Sequence, residues 1–369
     1  MKRTNTLLTR IRERELGKFG AMTLVAVSIA GLMGVTADVA QASEGPSTRM
    51  AFEVLLGDSL FPDGIAIDPD NGDMFVSGFA DGSIQKVTTA GDASYFETPN
   101  SNGLVNPLGM DVDAAKARLW VSNASFTGPG DIRVYDTADG SAPIAVFPQP
   151  ADGFPHFFND LAVSRDGTVY ITDSFQPRVW KIDPDMSGIE VFAEDPAFLV
   201  GPPGTFQGAL NGVAVTPDNR YVIVSTMNLG AGAGGRLFRI ERDSGAVTEV
   251  ALSGDTATFG GGDGIAFDNA HAHPVPHRTL YAVGVAGSGS SLYSVHFNPS
   301  YTEAEVTGLS GLNKYFDVPT TVATDRDHVW VVNGQTNHVF DFGDGQFGTA
   351  PNIPFTLTGV PHHRLNVPQ

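Results

Sequence analysis

Short apolar runs recur along this chain, each broken by Gly, Asp, Asn, Ser or Pro. The clearest unit is Phe158 to Asp183. Leu161-Ala162-Val163 follows the polar pair Asn159-Asp160. A turn at Arg165-Asp166-Gly167 leads to Val169-Tyr170-Ile171-Thr172, and Asp173-Ser174 leads to Arg178-Val179-Trp180-Lys181-Ile182. Runs this short, rich in β-branched and aromatic residues and bounded by turn formers, predict strands rather than helices. Nearly the same text occurs six times, which predicts an all-β, six-bladed propeller of four-stranded antiparallel blades around a central channel.

The repeats open at Pro62-Asp63-Gly64, Pro107-Leu108-Gly109, Phe158-Asn159-Asp160, Leu210-Asn211-Gly212, Gly262-Asp263-Gly264 and Val318-Pro319-Thr320. Their spacing, about 51 residues, exceeds the roughly 40–45 of the WD type, whose Gly-His and Trp-Asp signatures are missing. In the sixth repeat the third and fourth strands are expected at Val339–Phe342 and Ile353–Leu357, and in the fourth repeat the outer strand at Val247–Leu252. Phe52–Leu56 is a strand without a repeat of its own. A ring has no open radial edge only if it closes, so this strand is expected to pair with the last blade. Longer connections at Thr98–Asn106, Ala197–Gly208 and Asn228–Gly235 are expected at the end of the ring where the inner strands begin.

Composition changes the picture at the N-terminus. Six basic residues between Lys2 and Lys18 precede the apolar run Ala21–Val35, and Ala40-Gln41-Ala42 offers small residues for cleavage. This pattern predicts an export signal over 1–42, a polar leader over 43–50 and the propeller over 51–369, in a secreted or periplasmic protein. The 369 residues include no cysteine, so packing or a bound ion must hold the fold. Without residues 1–42 the chain carries 16 basic against 38 acidic residues, a net of −22. That charge disfavours nucleic acid and anionic lipid and favours a cation. Asn123-Ala124-Ser125 is a glycosylation sequon.

In a propeller the residue just before each inner strand rings the mouth of the channel. Here the ring reads Asp63, Leu108, Asn159, Asn211, Asp263 and Pro319. Asn and Asp also start ordinary turns. Four oxygen side chains at one register, though, are the hard donor set that suits Ca²⁺ or another divalent cation. Other chemistry has less support. Gly287-Ser288-Gly289-Ser290-Ser291 precedes a strand and makes no nucleophile elbow. The Gly-rich runs at 230–235 and 260–264 precede strands, not the helix a phosphate cradle needs. His271, His273 and His277 have metal-binding spacing, but Pro274 and Pro276 stiffen their loop.

Over about residues 52–357 the chain resembles the senescence marker protein/gluconolactonase family of six-bladed calcium-dependent lactonases, with paraoxonases and strictosidine synthase-like proteins as distant relatives. The resemblance rests on Pro62-Asp63-Gly64-Ile65-Ala66-Ile67-Asp68, Phe158-Asn159-Asp160, Leu210-Asn211-Gly212-Val213-Ala214-Val215 and Asp263-Gly264-Ile265-Ala266. It implies a calcium site of Asp63, Asn159, Asn211 and Asp263. Asp63 stands where the family has a longer Glu. Phe157 stands where gluconolactonases carry an Arg for the sugar substrate, so an apolar lactone or ester replaces a sugar lactone as the expected substrate.

The expected reaction is hydrolysis, with the carbonyl polarised by the ion and water activated by Asp263. His156, near neutral in ordinary pKa, is a second candidate base; the simpler reading makes it a loop residue packed beside Phe157. Asp160 is expected to bond backbone at the strand start. The alternatives are a non-catalytic propeller that binds a ligand or protein around a structural calcium, and a condensing or lyase activity, which would need a Glu at a blade opening.

Overall fold

The β-branched runs pair antiparallel in chain order into six sheets, in a computed structural model whose described residues are 51–199, 209–227, 234–268, 278–286, 289–340 and 345–365. These residues belong to one compact unit, Asp38–Gln369. The expected export signal and leader lie outside them, as do His271, His273 and His277 and most of the connections at 197–208 and 228–235.

Blades 1 to 4 each run outward in sequence. Blade 1 consists of Pro62–Ile67, Met74–Gly78, Ser83–Val87 and Ala93–Glu97; blade 2 of Asn106–Asp113, Arg118–Ala124, Asp131–Asp136 and Ala145–Pro148. Blade 3 consists of Phe158–Val163, Val169–Asp173, Arg178–Ile182 and Ile189–Glu194; blade 4 of Ala209–Val215, Tyr221–Met227, Arg236–Glu241 and Val247–Glu249. The second strands of blades 1, 3 and 4 are buried along their whole length, because neighbouring blades cover both faces. Such strands read as continuous apolar runs, whereas the outer strand Glu303–Gly308 alternates exposed and buried positions.

Two blades depart from the expected plan. In blade 5 (Ile265–Phe267, Thr279–Ala286, Gly289–Phe297, Glu303–Gly308) a fifth strand, Ala251–Gly254, lies parallel to the outer edge. The run expected as one outer strand of blade 4 breaks at the buried Val250, and its second half crosses to the next blade. Blade 6 is Pro319–Thr324, His328–Asn333 and Thr356–Pro361, with the N-terminal Phe52–Leu55 as its fourth strand. Ring closure by the N-terminal strand therefore holds. The third strand expected at Val339–Phe342 does not: a 3-10 turn at Thr336–His338 diverts the chain, and Phe340 packs against Phe79 and Phe126 instead.

The core lies between blades. Trp120, Ile132 and Val134 of blade 2, for example, pack on Phe158, Leu161, Ile171 and Trp180 of blade 3. Each such apolar side chain contributes about 1.5–3 kcal/mol on burial. The seam is packed in the same way, with Val54, Leu56 and Leu60 against Phe355 and Leu357.

Candidate functional site

The same backbone distortion occurs at the opening of every blade. Pro62 pairs with Gly78 but Ile65 with Val76, so Asp63 and Gly64 together face one residue, Ser77. The same two-against-one β-bulge falls at Leu108-Gly109, Asn159-Asp160, Asn211-Gly212 and Thr320-Thr321. In blade 5 the amide of Asp263 donates to Val283 O, and the Val283 amide donates to Gly264 O, which makes the equivalent step. A bulge re-aims the side chain it carries. Here six bulges at one register form the mouth of the channel.

This register corrects the ring on one point. Pro319 is equivalent to Pro62 and Pro107, the residue before the bulge, so the sixth ring position is Thr320. Thr320 is buried, and its hydroxyl donates to Asp63 O at 2.9 Å, tying the last blade to the first. Elsewhere that tie comes from the second strand. Ser122 donates to Phe158 O, Thr172 to Asn211 O and Ser225 to Gly262 O. Val332 occupies the corresponding place in blade 6, so Thr320 supplies the missing hydroxyl from the inner strand. The inner strands approach closely: a Cβ on Gly64 would collide with the Leu108 carbonyl, and one on Gly109 with Asp160. Glycine at the second bulge position allows this approach.

Asp63, Asn159, Asn211 and Asp263 all stand at the first bulge position. Asn159 and Asn211 are 7% and 4% exposed, while Asp63 and Asp263 meet solvent only in part. The Asn159 amide donates to Ser174 Oγ at 3.0 Å, and that hydroxyl donates to Leu210 O at 2.7 Å. The amide nitrogen is thus engaged, leaving Oδ1 as the donor atom for a ligand. Asn211 is hydrogen-bonded to the Asp263 carboxylate.

Protein surrounds the carboxylates. Burial pushes Asp63 up to about 7. Burial, the charges of Asp63 and Asp160, and an opposing hydrogen bond from Asn211 leave Asp263 well above the carboxylate range. Two acids deeper in the channel join them. Asp160 accepts from Leu161 N at 2.9 Å and from Val213 N, in blade 4, at 3.1 Å, yet burial holds it at about 8. Asp111 accepts from Val112 N and from Val163 N, in blade 3, and burial holds it at about 6. Asp160 thus bonds backbone as expected; Asp111 carried no repeat signal. Among the described residues no Lys, Arg or His pairs with these four acids.

Uncompensated acidity and oxygen donors from four blades fit a hard cation. Among the described residues no three His, Cys, Asp or Glu side chains converge closely enough to hold an ion by themselves. A site at this mouth therefore depends on the two carboxamides.

His156 lies apart from that set. Its Nδ1 contacts Asp173 Oδ2 at 2.7 Å and its Nε2 contacts Asp152 Oδ1 at 2.9 Å, and its side chain is 1% exposed. Burial opposes its protonation, but the hydrogen bonds and charges of Asp173 and then Asp152 outweigh it and raise its pKa. With both ring nitrogens engaged, it has no lone pair to offer water in this arrangement. Asp173 also accepts from Phe157 N and Trp180 Nε1, so the group braces the opening of blade 3. The sequon fares similarly: Asn123 is 3% exposed and its Nδ2 donates to Asp131 and Gly103, which leaves no free amide for a glycan in the folded state.

No protein-family model matches the sequence, and no curated protein matches it. Solved structures do share its shape. The major allergen Mala s 1 of Malassezia sympodialis is similar with a TM-score of 0.61 at 14% identity, over 85% of this chain and 96% of that one. A gluconolactonase from Xanthomonas campestris is similar at 0.54 and 16%, over 84% and 89%. A luciferin-regenerating enzyme is similar at 0.53 and 12%, over 84% and 94%. The chain is a six-bladed β-propeller. At these identities the likeness carries the fold and no finer assignment.

Proposed function

We propose that this propeller is a calcium-dependent hydrolase of lactones or esters, acting outside the cytoplasm. The observation that carries the reading is the ring itself: Asp63, Asn159, Asn211 and Asp263 stand at the same bulge position of four blades, with raised carboxylate pKa values and no cationic partner among the described residues. These four residues would hold the ion. When bound, it supplies Lewis acidity at a carbonyl oxygen. Asp263, aligned by Asn211, takes the proton of the attacking water. As the carbonyl carbon gains that hydroxyl oxygen and loses its alkoxy oxygen, the proton passes to the leaving alcohol. His156, held by Asp173 and Asp152, braces the opening of blade 3 that carries Asn159 and does not itself serve as base.

The test is turnover of a panel of aryl esters and aliphatic lactones with calcium and with chelator. Activity is expected with calcium alone. Asp263→Ala and Asn211→Ala are each expected to lower kcat/KM by about 100-fold or more, with far-UV circular dichroism unchanged. Calcium-independent turnover would overturn the mechanism. Calcium binding without turnover of any ester would leave a ligand-binding propeller.

A further inference from the structure

The connection 149–157 brings the chain from the outer strand of blade 2 to the inner strand of blade 3. Its two halves are held differently. The half next to the inner strand is tied to the second strand and the turn after it. Gln176 Nε2 donates to Pro155 O at 2.7 Å, the Phe157 amide to Asp173 Oδ1 at 3.0 Å, and the Ser174 amide to Phe157 O at 2.8 Å. The other half, 151–154, is exposed and is tied through Asp152. Asp152 Oδ1 accepts from the Phe154 amide at 3.0 Å and faces His156 Nε2 at 2.9 Å, while Oδ2 accepts from Arg178 Nη1 at 2.8 Å. Arg178, on the third strand, also donates to Glu194 of the outer strand and lies over the rings of Phe154 and Trp180.

His156 joins the exposed carboxylate to a buried one. Its side chain is 1% exposed, that of Asp173 0% and that of Asp152 30%. Each ring nitrogen faces a carboxylate oxygen, so each must donate, and only the imidazolium has two N–H groups. A neutral ring has one. Asp173 cannot turn to water, so the remaining proton stays on Nδ1, where losing it would leave a buried charge short of a donor. Nε2 then presents a lone pair to Asp152 Oδ1, and two acceptors at 2.9 Å repel each other. Asp152 reaches solvent and is the partner that moves. Burial lowers the pKa of the ring, but the hydrogen bonds and charges of Asp173 and Asp152 outweigh it and hold the value above its ordinary 6.5.

We propose that His156 is a one-proton latch. Protonated, it fastens 151–154 to blade 3 through Asp152; neutral, it releases that turn, while the half beside Asn159 stays bound to Asp173. Blade 3 thereby has an outer surface that responds to pH, carrying Phe154 and Arg178, next to an opening that stays fixed. The latch stands whether or not the mouth hydrolyses esters.

The test is NMR of the ¹⁵N-labelled protein from about pH 5 to 9. The imidazole signal of His156, one of nine histidines, is identified by its loss in His156→Gln. It is expected to titrate above 6.5 and to show the Nδ1–H tautomer when neutral. With the same midpoint, the backbone order parameters of Gly153 and Phe154 are expected to fall from about 0.85 to roughly 0.6 or below, while Phe157 stays rigid. In His156→Gln, whose side chain cannot change charge, that step is expected to vanish. A ring that titrates at or below 6.5, an Nε2–H tautomer in the neutral form, no loss of order at Phe154, or a step that persists in the variant would each overturn the latch. Should the variant fail to fold, sequential assignment of His156 in the wild type leaves the first three outcomes decisive.

Discussion

Blades 3 to 5 and blades 6 to 2 build opposite sides of the mouth from one backbone device. Every opening has the same bulge, and four of the six second positions are Gly. The first positions differ: Asn159, Asn211 and Asp263 on one side, Thr320 and Leu108 on the other, with Asp63 at the boundary. Thr320 turns inward to close the ring, and Leu108 joins the core with Phe79 and Phe157. The contrast separates frame from chemistry. The bulge fixes where a side chain points, and the choice of side chain decides whether that sector presents oxygen donors or packs an apolar wall.

The largest test of this division is pH. Asp111, Asp63 and Asp160 titrate at about 6, 7 and 8 in the folded protein, against about 3.9 when unfolded. A raised folded pKa means the folded state holds its proton longer. The associated stability is fully present below about pH 4 and is lost progressively as pH rises from there through the folded values, to about pH 8. Thermal melts with chelator are expected to show Tm falling over that window, since each tenfold difference in proton affinity between folded and unfolded chain is worth about 1.4 kcal/mol. Added calcium is expected to offset the fall. A flat profile in chelator would mean that Asp63, Asp111 and Asp160 are not buried as described.

On the apolar side, Leu108→Ala is expected to cost about 2–4 kcal/mol in urea unfolding and to leave calcium affinity within a few-fold. A large loss of calcium affinity would show that the two sides are not separable. The smallest effect belongs to the seam. Thr320→Val removes the hydroxyl donated to Asp63 O and is expected to cost about 1–2 kcal/mol, together with a modest loss of calcium affinity because Asp63 is released.

The fold was legible because each blade repeats the same apolar runs. Ile65-Ala66-Ile67, Val213-Ala214-Val215 and Val322-Ala323-Thr324 are copies that anyone can align. The four donor positions were legible for the same reason. Thr320 was not, because Pro319 draws the eye to the residue before the bulge. Blade 6 was misread because its third strand begins only at Thr356, while Phe340 packs on Phe79 and Phe126, a tertiary preference invisible to strand propensity. The contacts of Phe126 with Phe79, Phe157 and Phe340 were hidden because these residues fall in connections, at unequal distances from their strands, and meet across blades. His156 had the chemistry of a base, and only its two carboxylate partners, 4 and 17 residues away in sequence, show how it is engaged.

The strand Phe52–Leu55 is among the earliest parts of the propeller to be synthesised, and its partner Thr356–Pro361 is among the last. About 300 residues of chain must be made before the two can zip together, a contact order that favours slow closure. Until then blade 1 and blade 6 have no shared boundary, and Asp63 is not held by Thr320. A truncated or half-made chain that stacks its blades correctly therefore still lacks Asp63 held at the seam, and the set of four donors is complete only once the circle is.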